Sequence, residues 1–259
     1  WKKWARKNLT LNGIGHFGWI VLRAIIVIGL CFLILYPFLV KAVVSFMSVN
    51  DITDSTVMFI PREGSTYFIK RAVYSMNYFP ALLKTALLSL LVAVAQLFIS
   101  CVVGYGFARF KFKGKNVLFL GYIATIAVPW QAYMVPQFMM MRSWHLNNTH
   151  LAIIFLQAFS AFGVFMMKQF YEGVPTELCE AARIDGLSEY GIYARIMLPL
   201  SLPAVSTLVI FTFVNTWNDF LGPLIYLTKT ELKTIQIGLR MFISQYSAEY
   251  GLIMAASVV

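Results

Sequence analysis

Charge is scarce in this sequence. Of 259 residues only 12% are Asp, Glu, Lys or Arg, against 59% hydrophobic, and the mean hydropathy is +0.73. A soluble domain of this length carries about twice that charge. The shortage excludes a water-soluble globule, because so much apolar surface needs lipid as its solvent. Within a bilayer the backbone must satisfy its own polar groups, which leaves helices or a closed barrel. The apolar runs are long and continuous rather than alternating, and that selects helices.

Cysteine and histidine are nearly as sparse. Cys31, Cys101 and Cys179 are too widely spaced for a metal site or a disulfide framework, and Cys31 and Cys101 sit inside apolar runs as small hydrophobes. His16, His145 and His150 have no second ligand type at metal spacing, so no metal site is assigned. A Walker A glycine loop, an HExxH pair and a nucleophile elbow are all missing. No catalytic residue is assigned, the chain is read as non-enzymatic, and no cofactor is expected on it.

What is present is a set of spans. Five runs reach the roughly 20 residues a bilayer requires, at 21–44, 81–107, 117–141, 151–170 and 200–226. The first is too long for a signal-peptide core. The apolar tail from Gly251 to Val259 would cover only about 14 Å as a helix and reads as the start of a sixth span. A chain that opens at Trp1 and stops within such a run reads as trimmed at both ends. The fold class expected is all-α and polytopic, with six transmembrane helices, the last truncated.

The net charge of +10 is mostly a topology signal. Lys2, Lys3, Arg6 and Lys7 precede the first span. Arg109, Lys111, Lys113 and Lys115 fill the loop after the second, and Lys168, Arg183 and Arg195 surround the loop after the fourth. By the positive-inside rule these segments share the cytoplasmic side, the N-terminus with them. Basic residues divided among short membrane-flanking loops make a poor nucleic-acid surface. Residues 1–20 mix Trp1, Trp4, Phe17 and Trp19 with Lys and Arg, as an interfacial segment does, and residues 21–259 form the transmembrane domain. Residues 45–80 and 228–250 fall on the outer side.

The most informative stretch is cytoplasmic, at 171–199. Pro175 suits a first helical position, Thr176 an N-cap and Glu177 the positive helix end. Leu178, Ala181, Ala182 and Asp185 then form one face with a small centre, open to close approach by another backbone. Gly186 stops the helix, and after Leu187 a second begins at Ser188 and Glu189. Five acidic residues here (Glu172, Glu177, Glu180, Asp185, Glu189) suggest a partner surface. The alternative is a loop packed only on its own helices.

Glu180-Ala181-Ala182, Gly186 and Ile196-x-Leu198-Pro199 resemble the EAA signature of permease subunits of binding-protein-dependent ABC importers. Ala127-Val128-Pro129-Trp130-Gln131, the run Gln169 to Leu178, and Trp217-Asn218-Asp219-Phe220-Leu221-x-Pro223-Leu224 are similar to patterns of the carbohydrate branch. The resemblance covers roughly residue 80 to the end and looks closest to the maltose-type second permease subunit. Cys179 and Leu187 depart from it, where an acidic and a small residue are common. The resemblance implies a type I importer permease fold paired with a second, homologous permease. Two ATP-binding cassette subunits would supply ATP and Mg, and an extracytoplasmic binding protein would deliver the sugar. The coupling contact to the ATPase would be made by Glu177, Glu180, Ala181, Ala182, Asp185, Gly186, Leu187 and Ser188.

Polar groups inside spans are costly and so mark candidates for a solute pathway. Gln131 follows Pro129, and Asn215, Trp217, Asn218 and Asp219 crowd the outer part of the fifth span. Amides, a carboxylate and an aromatic face suit a sugar, though helix ties and caps use the same groups. Gln96 and Gln157 read as ties, and Trp130 as packing. Two other readings stay open: an importer for a non-sugar solute, and a self-sufficient carrier or channel. The latter needs ionisable groups in mid-membrane, for which Asp219 is the clear acidic candidate.

Overall fold

A computed structural model describes residues 11–54, 56, 57, 59–245 and 250–259. For 11–15 and 241–245 it describes the backbone alone. The basic residues Lys2 to Lys7, with Trp1 and Trp4, lie outside the described residues. So does part of the 228–250 stretch.

The described chain is helical, without a strand. Its described residues form two units, one of residues up to Ser75 with Met241–Val259 and the other Met76–Arg240. In the first unit, α1 (Leu11–Ser45) runs 35 residues, starting ahead of the span drawn at 21–44. Its stretch His16–Ser45 is long and apolar enough to cross a membrane, with its most apolar part exposed and Val44 and Ser45 buried at its end. Two short helices follow, α2 (Val49–Thr53) and α3 (Tyr67–Ser75). The polar 45–80 stretch is partly self-satisfied: Arg62 pairs with Asp54 at 3.0 Å, and buried Asp51 accepts from the Glu63 N–H.

In the second unit α4 (Tyr78–Arg109) is the one continuous long span. The next spans are not straight helices as drawn. The run 117–141 is divided into α5 (Lys115–Ala124), a 3₁₀ turn (Thr125–Ala127) and α6 (Trp130–Ser143), bent by 102°. Pro129, which has no N–H to donate, stands at the bend. The run 151–170 is α7 (His150–Ala158) and α8 (Ala161–Glu172), bent by 41°. Ser160 caps α8 by accepting from the Gly163 N–H at 3.1 Å. Next come α9 (Thr176–Ile184) and α10 (Glu189–Leu200), the latter with a π-helical turn at Tyr193–Met197. After α11 (Leu202–Asn218) the fifth run breaks at Asp219–Phe220 and resumes as α12 (Leu221–Tyr226). The remaining helices are α13 (Ile235–Gln245), which crosses the boundary between the units, and nine-residue α14 (Tyr250–Val258), which packs on α1 to α3 within the first unit.

The core of the second unit is α4 laid against α8 and α11. The α4–α8 contact is close because Gly104 and Gly163 face it. A Cβ on Gly104 would sit 2.9 Å from Met167 Cβ and 3.1 Å from the Lys168 backbone nitrogen, and one on Gly163 would strike the Ser100 hydroxyl. Small residues at such a crossing allow close helix packing where lipid supplies no hydrophobic drive.

Candidate functional site

Two regions concentrate the candidate residues. The first is α9, Gly186 and α10. Pro175 occupies the last non-helical position with φ −55° and ψ 135°, and Thr176 is the first helical residue. The sequence places these roles the other way round. The ring fixes φ but leaves ψ free, so proline serves at either position. The end of α9 is a complete Schellman turn. The Gly186 N–H donates to the Arg183 carbonyl and the Leu187 N–H to the Ala182 carbonyl, both at 3.0 Å, with Gly186 at φ +83°. Ser188 then caps α10 by accepting from the Gly191 N–H at 3.3 Å.

A latch crosses the turn. Arg183 Nε donates to Glu189 Oε1 at 2.7 Å, and the Tyr105 hydroxyl of α4 donates to Glu189 Oε2 at 3.3 Å. The hydrogen bond from Arg183 and its charge hold the Glu189 carboxyl below its ordinary range and raise the Arg183 guanidinium.

The segment's inner face is embedded. Cys179, Ala182, Ile192 and Met197 are buried with Cys101, Tyr105, Met167, Tyr171 and Leu208, and Leu187 packs against that cluster. Ala182 therefore does not join Leu178, Ala181 and Asp185 in an open face. It points inward beside Cys179. That the position before Glu180 is a cysteine rather than an acid follows from this burial. Glu177, Leu178, Glu180, Ala181, Asp185, Gly186 and Ser188 are exposed. Two residues the sequence reasoning passed over stand out beside them: Ile184 and Tyr190 are each 88% exposed, on either side of Gly186. Large apolar groups held that far into solvent mark a contact surface. The signal available in the sequence was an isoleucine and a tyrosine flanking a helix-stopping glycine.

The second region is the α11–α12 break. Asp219 Oδ1 accepts from the Gly222 N–H at 3.1 Å and so caps α12. Its Oδ2 accepts from Gln157 Nε2 at 2.7 Å, and Gln157 Oε1 accepts from the Thr216 hydroxyl at 2.8 Å. Gly222 lies so close to Asp219 that an added Cβ would collide with the carboxylate. Two cavities share this network as a wall. One of about 520 Å³ is lined by Trp130, Tyr133, Gln137, Gln157, Asn218, Asp219 and apolar neighbours. The other, of about 500 Å³, is lined by Gln96, Gln157, Ser160, Thr212, Asn215, Thr216 and Asp219 with aromatic rings. The Thr212 hydroxyl is buried there with no partner among the described residues.

Asn215, Asn218 and Asp219 thus face cavities, while Gln131 and Trp217 line neither. The bend at Pro129 aims Trp130, Tyr133 and Gln137 at the cavity through their i, i+3, i+7 spacing and leaves Gln131 exposed on another face. Trp217 stacks on Phe213 at 5.6 Å. Trp130 donates to Gln137 Oε1 at 2.8 Å. Gln157 is the helix tie the sequence suggests, and it also lines both cavities.

Broken helices around polar cavities, with a glycine-divided helix pair beside them, define a polytopic membrane transport subunit. Residues 96–259 match the family described as binding-protein-dependent transport system inner membrane component, and the chain belongs to that family. It is 33% identical over 235 residues to the arabinooligosaccharides transport system permease protein AraQ of Halalkalibacterium halodurans, an alignment covering 88% of this chain and 83% of that protein. It is 36% identical over 162 residues to the lactose transport system permease protein LacG of Rhizobium radiobacter, covering 62% of this chain and 59% of that one. A crystal structure of a bacterial ABC transporter involved in importing the acidic polysaccharide alginate contains a chain of the same fold. Its TM-score is 0.84, at 20% identity over 96% of this chain and 93% of that one.

Proposed function

We propose that this chain is one of two permease subunits forming the pore of an ATP-driven importer in a bacterial cell membrane, and that its cargo is a sugar or oligosaccharide. A soluble binding protein delivers the cargo from outside. Two ATP-binding cassette subunits bind ATP and Mg and hydrolyse the nucleotide, and one of them docks on residues 171–199 from the cytoplasm, the side on which the N-terminus also lies.

The observation that carries the reading is the α9–Gly186–α10 pair. Its inner face is fixed to the transmembrane helices, while Ile184 and Tyr190 stand in solvent amid Glu177, Glu180 and Asp185. A segment built that way receives force from a partner and is rigid enough to pass it on. The sugar assignment is supported by what the relatives are named for and by the amide, hydroxyl and carboxylate lining of the two cavities.

The test is to purify the complex that assembles on this chain and reconstitute it in liposomes with its binding protein. Uptake of labelled arabinotriose, lactose and a non-sugar panel is then measured with and without internal ATP. ATP-dependent uptake of a sugar is expected. Uptake that persists without any ATPase subunit would reject the importer reading, and uptake of a non-sugar alone would reject the cargo.

A further inference from the structure

Arg109, the last residue of α4, heads the basic run that the positive-inside rule explains as orientation charge. Its side chain is engaged in something more specific. Arg109 Nη2 donates to the Tyr171 carbonyl at 2.8 Å and to the Val174 carbonyl at 2.6 Å. Tyr171 belongs to the last turn of α8 and Val174 to the link into α9. The Tyr171 carbonyl is in the last turn of α8, where it also accepts the Val174 N–H at 3.3 Å, and a guanidinium there meets the negative end of the helix. One turn back on the same face of α4, Tyr105 donates to Glu189 at the start of α10. Its ring packs on Tyr171 at 5.8 Å and on Tyr193 at 5.1 Å. The end of α4 therefore holds both halves of the segment, the approach to α9 through Arg109 and the beginning of α10 through Tyr105.

The other part of the same helix reaches the cavities. Gln96, thirteen residues before Arg109, lines the cavity of about 500 Å³ shared with Asp219. At 1.5 Å per residue the two lie about 20 Å apart along one unbroken helix. The other spans of this unit are bent. Along the way α8 packs closely on α4 at Gly104, where a Cβ would meet Met167 and the Lys168 backbone nitrogen.

We propose that Arg109, with Tyr105, is the positioning residue that makes α4 the strut between residues 171–199 and the polar cavities, so that displacement of the segment is delivered to the pathway as movement of α4. The proposal rests on the coupling role given to the segment above. Without the Arg109 contacts the segment still docks and the ATPase still cycles, but its movement reaches α4 only in part.

The experiment uses the whole reconstituted complex with its binding protein and the panel sugar that the parent takes up. Arg109→Ala, Arg109→Lys and Tyr105→Phe are compared for subunits recovered, ATP hydrolysed and sugar accumulated. The expected result is a stimulated ATPase close to the parent's with uptake per ATP about tenfold lower in Arg109→Ala, the scale set by losing a charged hydrogen bond. Arg109→Lys, which keeps a cation at the helix end, should recover part of that loss, and Tyr105→Phe should show a smaller fall. Uptake and hydrolysis declining in parallel, with their ratio unchanged, would overturn the proposal and leave Arg109 as a helix cap. If Arg109→Ala does not assemble, the ratio in Arg109→Lys and Tyr105→Phe decides, and parental values in both overturn it. Gly186→Val separates the levels: if it uncouples while the Arg109 variants do not, the strut fails and the coupling segment stands. If none of them changes the ratio, the coupling reading fails too.

Discussion

Gly186 offers a test in which conformation and bulk can be told apart. Its φ of +83° lies in the left-handed region, and a Cβ built on it meets nothing within 4 Å. Within this chain, then, a side chain there has room, and the whole penalty is backbone conformation. For an ordinary L-residue that is about 1–2 kcal/mol, less for asparagine, which visits the region readily, and more for a β-branched residue. Against it stand the two turn hydrogen bonds, Gly186 N–H to Arg183 and Leu187 N–H to Ala182. They contribute about 0.5–1.5 kcal/mol each. The two sums are comparable, so a substitution pushes the turn toward an unwound alternative without unfolding the protein. A shift of 1–2 kcal/mol changes the ratio of formed to unwound turn by a factor of about 5–30. Uptake per assembled complex should therefore fall in the order Gly, Asn, Ala, Val. The assay is sugar uptake and ATP hydrolysis by Gly186→Asn, Gly186→Ala and Gly186→Val in liposomes. Should glycine be needed because the ATPase subunit presses on it, size alone would govern, and alanine would outperform asparagine. That inversion, or full transport by Gly186→Val with its ATPase bound, would refute the reasoning.

Three further outcomes are expected. Ile184→Ala and Tyr190→Ala should each reduce the ATPase recovered with the permease by about tenfold or more while leaving the permease itself folded, because truncating an interface anchor costs about 1–2 kcal/mol or more; equal recovery on pull-down would remove both from the docking surface. The Arg183–Glu189 latch should be pH-insensitive from neutral down to the ordinary glutamate value of 4.5 and weaken only below it, since a carboxyl with a depressed folded pKa contributes stability above its unfolded value and loses it as pH falls through the folded one; ATPase retention across a pH series, with Glu189→Gln as the pH-independent control, checks the sign. Asp219→Asn, which loses the bond from Gln157, should lower uptake per assembled complex roughly threefold to tenfold, the scale of one lost hydrogen bond, and Gln157→Leu, which loses its bonds to both Asp219 and Thr216, should lower it further, with Asn218→Ala affecting uptake without assembly because, among the described residues, its side chain is bonded to the Val214 carbonyl and, at 3.5 Å, to Gln236; unchanged uptake per complex would reject a pathway role.

The legible features were those with a local cause. The glycine stop, the Ser188 cap and the apolar runs each follow from residues a few positions apart, and hydropathy places the spans within several residues. Facing is different. Ala182 and Asp185 share a helix side by periodicity, yet Ala182 is buried in a cluster to which α4 and α11, remote in sequence, contribute Cys101, Tyr105 and Leu208. Arg109 carries the same charge as Lys111 and Lys113, and nothing nearby in sequence singles it out. Its partners are 62 and 65 residues away. Gln131 was favoured as the polar neighbour of a proline, but the bend that proline makes turns Trp130, Tyr133 and Gln137 to the cavity instead.

The breaks themselves carry the last step of the argument. A hydropathy window averages across a break, so 151–170 and 200–226 read as continuous although Phe159–Ser160 and Asp219–Phe220 interrupt them. In hydrocarbon an interrupted helix leaves backbone groups unpaired at several kcal/mol each, so it persists only where protein or a water-filled cavity satisfies them. Both interruptions meet that condition. Phe159 and Ser160 line the cavity of about 500 Å³, Phe220 lines the one of about 520 Å³, and Asp219 lines both. The Asp219 carboxylate closes one break by capping α12 and reaches the helix before the other through Gln157 on α7. The polar residues and the helix interruptions are thus one feature. The breaks supply irregular backbone around a polar space, and Asp219 and Gln157 hold it open inside a chain that is otherwise apolar. Packing alone would favour continuous helices here. The passage of a polar solute, as proposed above, accounts for their being broken.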